Sequence, residues 1–167
     1  MGVNKNVIRK ARRIRMVLLD VDGVMTDGGI YYTAEGVEMK RFHAQDGLGI
    51  NRARRLGIPT GIVSGRMAGA VDARARELQI VEVHQGVPDK LSLLAPLAAK
   101  YGLSPKEFAF MGDDVIDVPL MNAVGLAGAP ANGQAAARDA ADVVTRASGG
   151  NGAVREFLDI ILDAQGL

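Results

Sequence analysis

Short apolar runs alternate with longer segments of helical periodicity through most of this 167-residue chain. Runs such as 16–19 and 108–111 carry no charged residue, which is typical of strands that are buried on both faces. Parallel neighbouring strands need a long crossover, and a helix normally supplies it. The pattern therefore predicts an α/β fold, a doubly wound parallel sheet with helices on both faces and right-handed crossovers.

The individual elements follow from the same periodicities. Asp46 is the predicted N-cap of the first helix inside the sheet region, and Gly57 ends that helix. The polar stretch 132–139 is predicted to connect two strands. The predicted strands are 16–19, 58–63, 80–83, 108–111, 124–127 and 142–145; the predicted helices are 46–56, 67–78, 89–101 and 152–164, with one helical turn at 104–107; and 28–42 is a β-hairpin around Glu35-Gly36.

Composition limits the classes of function. With 48% hydrophobic residues, 23% charged residues and a net charge of +1, the sequence predicts a single domain over residues 1–167 without the strong positive field that nucleic acids require. Aromatic residues are only 4% of the chain, which also argues against base stacking. No apolar run approaches the roughly 20 residues of a membrane span, so no membrane insertion is expected.

The N-terminal leader, residues 1–14, is basic. It lacks the apolar core of a secretion signal, and the chain contains no cysteine, so a cytoplasmic location is predicted. We expect the leader to be a solvated, frayed helix, with contact to an acidic surface or membrane as the alternative. Its positive charges come from Lys5, Arg9, Lys10, Arg12 and Arg13, and Arg15 follows the leader directly.

Two carboxylates one residue apart follow the first predicted strand. Residues i and i+2 at a strand end point the same way, so Asp20 and Asp22 can address one small volume, and Gly23 allows a sharp turn beside them. One carboxylate can attack phosphorus, and the other can protonate the leaving alcohol and later activate water. The simpler alternative is a strand-ending turn, in which Asp and Gly are common.

Polar residues also follow the later strands. Ser64 can hold phosphoryl oxygens, Lys90 can neutralise charge in a transition state, and Asp113 with Asp117 can face a metal ion. Each has a simpler alternative, as a helix cap, a solvated lysine or an acidic turn. Because the carboxyl ends of parallel strands share one rim of the sheet, their joint occurrence favours a phosphoryl-transfer site with Mg²⁺.

These motifs resemble the four signatures of the haloacid dehalogenase superfamily of phosphotransferases: DVDGV, the serine of VSGR, Lys90 and GDDVID. Within it, DVDGVMTDG, FHAQDGLGI, QGVPDK and SGGNGAVRE are similar to the capless 3-deoxy-D-manno-octulosonate 8-phosphate phosphatases. The resemblance implies a Rossmann-like core without a cap domain and Mg²⁺-dependent hydrolysis of a sugar-acid phosphate in lipopolysaccharide precursor synthesis. Asp20 is the implied nucleophile and Asp22 the acid/base, with metal held by Asp20, the Asp22 backbone carbonyl and Asp113.

The resemblance also implies sugar contacts and an assembly. An arginine suits a sugar carboxylate, although Arg74 could equally be a surface charge. Family members are similar in being homotetramers whose hairpins pack together, so that a neighbouring subunit covers the open site; the alternative is that the hairpin 28–42 packs on its own domain. The implied substrate-binding residues are His43, Ala44, Gln45, Asp46, Gly47, Asn51, Arg66, Arg74 and Lys90, with Gln45 and Asn51 standing where some relatives have arginine.

Three further hypotheses remain at this level. A nine-carbon, sialic-type sugar acid phosphate is the rival substrate, and Arg66 favours the eight-carbon one, because nine-carbon relatives have glutamate there. A non-enzymatic receiver-like domain also forms an aspartyl-phosphate, but Asp22 would hydrolyse it. The glycine loop 148–152 is predicted to be a flexible segment that closes over a site.

Overall fold

The computed structural model describes residues 4–167, and its centre is a six-stranded sheet in which every neighbouring pair is parallel. The predicted α/β class is therefore confirmed. A separate two-stranded antiparallel hairpin follows the first strand. The strands are β1 Met16–Leu19, β2 Tyr31–Tyr32, β3 Glu38–Met39, β4 Thr60–Val63, β5 Glu82–His84, β6 Phe108–Met111, β7 Leu126–Ala129 and β8 Val143–Val144.

The sheet order is β5-β4-β1-β6-β7-β8, so β1 lies in the middle and later strands extend the sheet on both sides of it. Side chains along β1 alternate between two cores. Val17 and Leu19 face one core, whereas Met16 and Leu18 face the other. The helices that cover the first core are α1 Lys5–Ala11, α2 Ala44–Arg55, α3 Gly69–Leu78 and α7 Ala153–Gln165, and those that cover the second are α4 Leu94–Tyr101, α5 Val118–Ala123 and α6 Ala135–Ala140.

Two helices on the second face were not predicted. Most of α6 lies within the stretch 132–139 and its last residue is Ala140; it forms because alanine has the highest helix propensity and Ala137 packs in the core. The segment after β6 forms a 3₁₀ turn, Val115–Asp117, that leads into α5. Helix 89–101 divides into a 3₁₀ turn, Lys90–Leu93, and α4, while strand β7 begins two residues later than predicted.

The prediction of a frayed N-terminal leader is wrong for the residues that the structure describes. Helix α1 is docked against α7, with Val7 and Ala11 buried and Ile14 fully buried after it. The Asn4 side chain caps the helix by accepting a hydrogen bond from the Asn6 N–H at 2.9 Å. The basic residues of the leader obscure its apolar positions Val7, Ala11 and Ile14, which anchor the segment in the core.

The hairpin is present within the predicted range, but its ladder joins only two residues on each strand. Phe42, the last residue of the predicted hairpin, is partly buried against the first core and bridges to Thr26. Between residues 4 and 167 no cap domain accompanies this hairpin, and none of the helices there is long and apolar enough to cross a membrane. Large apolar side chains remain exposed at Ile30, Tyr31, Tyr32, Val37 and Met39.

Asp46 does not cap its own helix, because α2 begins two residues earlier, at Ala44. Its carboxylate is buried and instead accepts hydrogen bonds from the first backbone N–H groups of α7, that of Arg155 at 2.8 Å and that of Gly152 at 3.4 Å. The N-cap position of α7 is Gly152, which has no side chain to do this. Asp46 therefore supplies the missing cap from another helix.

We expect Asp46→Ala to lower the free energy of unfolding by about 1–2 kcal/mol, because the N–H groups of Gly152 and Arg155 at the start of α7 lose their acceptor. Asp46→Asn keeps one acceptor oxygen and should lose less. Urea denaturation of both variants beside the wild type measures the difference. Equal stability of Asp46→Ala and wild type would contradict the capping role.

Candidate active site

The site is built at the carboxyl end of β1. The chain extends the sheet in opposite directions from this strand, and ligands of doubly wound sheets bind at such a switch point. Asp20 follows β1 directly and prolongs its pairing with β6, since its N–H donates to the Met111 carbonyl at 3.0 Å. Only 6% of Asp20 is exposed, so its carboxylate lies at the floor of the site.

Residues 21–25 form one wide turn that the Thr26 N–H closes by donating to the Val21 carbonyl at 3.0 Å. Gly23 has φ +84°, a conformation that favours glycine. A Cβ on Gly23 would lie 2.1 Å from an Asp113 carboxylate oxygen. The glycine therefore allows the carboxylate that follows β6 to approach the turn that follows β1.

Lys90 joins two of the predicted aspartates. Its Nζ lies 2.8 Å from Asp20 Oδ1 and 2.6 Å from Asp117 Oδ1, and all three side chains are buried. The second oxygen of Asp117 accepts the N–H groups of Asp113 at 3.0 Å and Asp114 at 3.1 Å. Asp117 thus fixes both the lysine and the loop that carries Asp113.

The charges of this group are unbalanced. Carboxylate oxygens of Asp20, Asp113 and Asp117 lie within 4.8 Å of one another, with Lys90 as the adjoining cation. Burial, followed by repulsion from the other two carboxylates, raises the pKa of Asp113 to about 8. Burial also raises the pKa of Asp20 to about 6, although Lys90 opposes the shift. A hard divalent cation fits this oxygen donor set, because its charge would offset the repulsion among the three carboxylates.

Asp22 is not part of that group. Its Oδ1 lies 2.5 Å from Nζ of Lys40, which follows β3 directly and is 2.8 Å from Glu38 of that strand. Arg66 reaches the same place, with Nη2 3.0 Å from Glu38 Oε2 and Nε 3.8 Å from Asp22 Oδ2. Glu38 and Lys40 were missed from sequence, although their i, i+2 spacing within the predicted hairpin would place them on one face of an extended strand.

Ser64 stands at the end of β4, where it is buried. Its N–H donates to the His84 carbonyl at 2.8 Å, and its hydroxyl accepts the Arg66 N–H at 3.3 Å. A cleft of about 220 Å³ connects it with the aspartates. The residues lining the cleft are Asp20, Asp22, Gly23, Gly28, Ser64, Gly65, Arg66, Lys90, Asp113, Asp114 and Ile116.

Most of the predicted sugar contacts lie outside this cleft. Asn51 lines a separate cavity of about 530 Å³ together with Leu48 and Arg52. The guanidinium of Arg74 is engaged elsewhere, 2.8 Å from Glu77 and donating to the His43 carbonyl at 3.2 Å. Of the predicted substrate residues, only Arg66 and Lys90 line the cleft, while His43, Ala44, Gln45, Asp46, Gly47, Asn51 and Arg74 do not.

The glycine loop 148–152 packs against the turn that follows β1 in this structure; its predicted closure over a site stays a prediction. Gly149 and Gly150 are buried against the turn that follows β1, and the Gly150 N–H donates to the Val24 carbonyl at 3.0 Å. A Cβ on Gly149 would lie 1.7 Å from the Gly23 carbonyl oxygen. The loop is therefore a support beneath the turn that carries Asp22.

Comparison with known proteins agrees with this geometry. A family model for haloacid dehalogenase-like hydrolases matches residues 75–158. The chain is 44% identical, over 164 residues, to 3-deoxy-D-manno-octulosonate 8-phosphate phosphatase of Escherichia coli strain K12, covering 98% of this chain and 87% of that one. It belongs to the 3-deoxy-D-manno-octulosonate 8-phosphate phosphatase family.

Solved structures of this phosphatase family superpose closely. The enzyme from Yersinia pestis is 42% identical with a TM-score of 0.95, over 97% of this chain and 88% of that chain. The enzyme from Moraxella catarrhalis, solved in complex with magnesium ion, phosphate ion and the sugar acid, is 40% identical with a TM-score of 0.95, over 98% and 94%. Membership of a phosphatase family favours catalysis over the receiver-like alternative.

The unbalanced carboxylates generate a prediction about metal binding. In the wild type the Asp113 carboxyl has a higher pKa in the folded state than in the unfolded state, so its ionisation lowers the stability of the fold as pH rises from about 4 to 8. Asp113→Asn has no carboxyl at this position and does not lose that stability. At pH 8 without metal, we expect the variant to melt roughly 2–4 °C higher, the shift that about 1 kcal/mol gives in a chain of this size.

Added Mg²⁺ should reverse the order. Saturating metal stabilises the wild type by about 2.7 kcal/mol at a hundred times its Kd, whereas the variant should gain little. Differential scanning calorimetry with and without Mg²⁺ measures both effects, and Asp139→Asn, an exposed carboxylate on α6, is the matched control. A full Mg²⁺ response in Asp113→Asn would remove Asp113 from the metal site.

Proposed function

We propose that this protein is a Mg²⁺-dependent phosphatase that hydrolyses 3-deoxy-D-manno-octulosonate 8-phosphate, a step of lipopolysaccharide precursor synthesis. The observation that carries the proposal is the buried Asp20 carboxylate at the end of the central strand, 2.8 Å from Lys90 and beside Asp113. The named relatives, at 40–44% identity over nearly the whole chain, support the substrate.

In this proposal a carboxylate oxygen of Asp20 attacks phosphorus and the bond to the sugar oxygen breaks. That oxygen takes a proton from Asp22, and Asp20 is left as an aspartyl-phosphate. Water then attacks the same phosphorus and gives a proton to Asp22. The phosphorus–Asp20 bond breaks, which releases phosphate and restores both carboxyl groups.

The other residues stabilise charge and geometry. Lys90 holds Asp20 and places its ammonium beside the developing negative charge, and Ser64 offers a hydroxyl at the neighbouring strand end. Asp20, the Asp22 carbonyl and Asp113 would hold Mg²⁺, which when bound offsets phosphoryl charge and orients the phosphate. Both oxygens of Asp117 are already engaged, so its main contribution is orientation, and its predicted metal contact stays a prediction.

Arg66 is the cleft residue best suited to the sugar carboxylate, because a guanidinium can bind it through two hydrogen bonds. Arginine at this position and the names of the relatives both favour the eight-carbon substrate over the nine-carbon one. The roles predicted for residues 43–47, Asn51 and Arg74 stay predictions; these residues could act only if the site is completed by another subunit or by movement. The cytoplasmic location also stays a prediction.

Phosphate release from the eight-carbon and nine-carbon ester phosphates, measured with Mg²⁺, tests the function. We expect a clear preference for the eight-carbon ester, and a loss of at least about a thousandfold in Asp20→Asn, which has no nucleophilic carboxylate. Asp139→Asn should match the wild type. Preference for the nine-carbon ester would change the substrate alone, whereas no metal-dependent release from either ester would refute the proposal.

We also propose a homotetramer in which the hairpins pack together, as the family resemblance implies. The exposed apolar residues of the hairpin support this, since Val37 is 60% and Met39 50% exposed within a single chain. Isolated chains seldom leave a contiguous apolar patch of this kind unused. A neighbour at the hairpin would also lie next to the open cleft, because Lys40, just after β3, contacts Asp22 and Glu38 contacts Arg66.

Replacing Val37 and Met39 together by serine should therefore weaken assembly. Analytical ultracentrifugation is expected to give tetramers for the wild type and smaller species for the double variant at the same concentration. Val81→Ser, an exposed valine before β5, is the control for added polarity. A wild type that sediments as a monomer would contradict the assembly.

A further inference from the structure

Lys40 is a buried cation that the proposed mechanism does not use. Its side chain is 1% exposed, although Met39, the residue before it, is half exposed. The ammonium lies between two carboxylates, 2.5 Å from Asp22 Oδ1 and 2.8 Å from Glu38 Oε1. A buried ammonium is stable only while it is paired with carboxylates, so Lys40 restrains the side chains of Asp22 and Glu38.

The surrounding charges alternate. Arg66 donates to Glu38 Oε2 at 3.0 Å, and its Nε lies 3.8 Å from Asp22 Oδ2. Asp22, Glu38, Lys40 and Arg66 thus form a network of two anions and two cations, separate from the group around Asp20. Lys40 holds Oδ1 of Asp22 at 2.5 Å, whereas Oδ2 has only the longer contact with Arg66, so Oδ2 is the oxygen better placed to carry a proton towards a leaving group.

We propose that Lys40 is a positioning residue for phosphoryl transfer, holding the Asp22 carboxyl in the orientation in which it protonates the sugar oxygen. The inference rests on the proposed function. A carboxyl group must lie within hydrogen-bond reach of the oxygen that it protonates, and general acid catalysis contributes about 10²–10⁴-fold when this geometry is met. Glu38 assists by holding the Lys40 ammonium from its other side.

Two esters with different leaving groups test the assignment. A sugar alkoxide is a poor leaving group and needs the proton of Asp22, whereas the p-nitrophenolate of p-nitrophenyl phosphate leaves without one. The ratio kcat/KM includes only steps up to transfer of the phosphoryl group to Asp20, so hydrolysis of the aspartyl-phosphate does not enter it. Loss of a proton donor therefore lowers kcat/KM for the sugar phosphate selectively.

We expect Lys40→Met to lower kcat/KM about 10–100-fold for the sugar phosphate and less than about threefold for p-nitrophenyl phosphate. Asp22→Asn should give the same selective pattern, and Lys40→Arg, which keeps a cationic donor, should recover part of the loss. The Mg²⁺-induced rise in Tm should persist in Lys40→Met, because Lys40 lies outside the carboxylate group around Asp20. Lys10→Met, which breaks the ion pair with Asp142, is the matched control, because neither residue lines the cleft.

Equal losses on both esters would assign Lys40 to phosphate binding or to structure and overturn the inference, as would full activity in Lys40→Met. If that variant does not fold, Lys40→Gln decides by the same comparison. Failure of the proposed function is distinguishable, because the wild type would then release no phosphate from the sugar ester. A selective loss in Asp22→Asn without one in Lys40→Met would overturn the inference alone.

Discussion

Three buried carboxylates around one ammonium are the constraint on which the rest of this structure depends. Asp20, Asp113 and Asp117 come from two loops at the end of the sheet, and Lys90 is the cation in contact with this group. Like charges this close in a poorly solvated place are unfavourable unless protons or a cation intervene. The fold tolerates them because the strands on either side are well buried, and the resulting demand for positive charge is what suits the site to a metal ion and a phosphate group.

Close backbone approach makes that arrangement possible. Gly23 leaves room for the Asp113 carboxylate, and Gly112 does the same for Asp117, where a Cβ would lie 2.4 Å from the Asp117 Cβ. Gly149 packs on the Gly23 carbonyl from the opposite side. A side chain at any of these positions would displace either the turn or a carboxylate. Close packing therefore requires glycine at these three positions.

Features set by short stretches of sequence could be predicted, and features set by distant pairs could not. Apolar runs place Asp20, Ser64 and Asp113 at strand ends, because a buried strand can be identified from the apolar character of its own residues. The cap that Asp46 gives to α7 joins residues more than a hundred positions apart, and helix periodicity alone assigned that aspartate to the wrong helix. The docking of α1 was also missed. Basic residues dominate the composition of this helix, and only Val7 and Ala11 within it are buried.

The two carboxylates that the sequence places together serve different networks in the fold. Asp20 belongs to a buried group supported by the sheet, because its backbone continues the pairing of β1 with β6. Asp22 is turned towards Lys40 and Arg66, so its surroundings come from a short hairpin and a loop. The hairpin also carries the apolar residues proposed to meet other subunits. If the proposed assembly forms, it would act on the proposed proton donor Asp22 rather than on the proposed nucleophile Asp20, since only Asp22 is held by the hairpin.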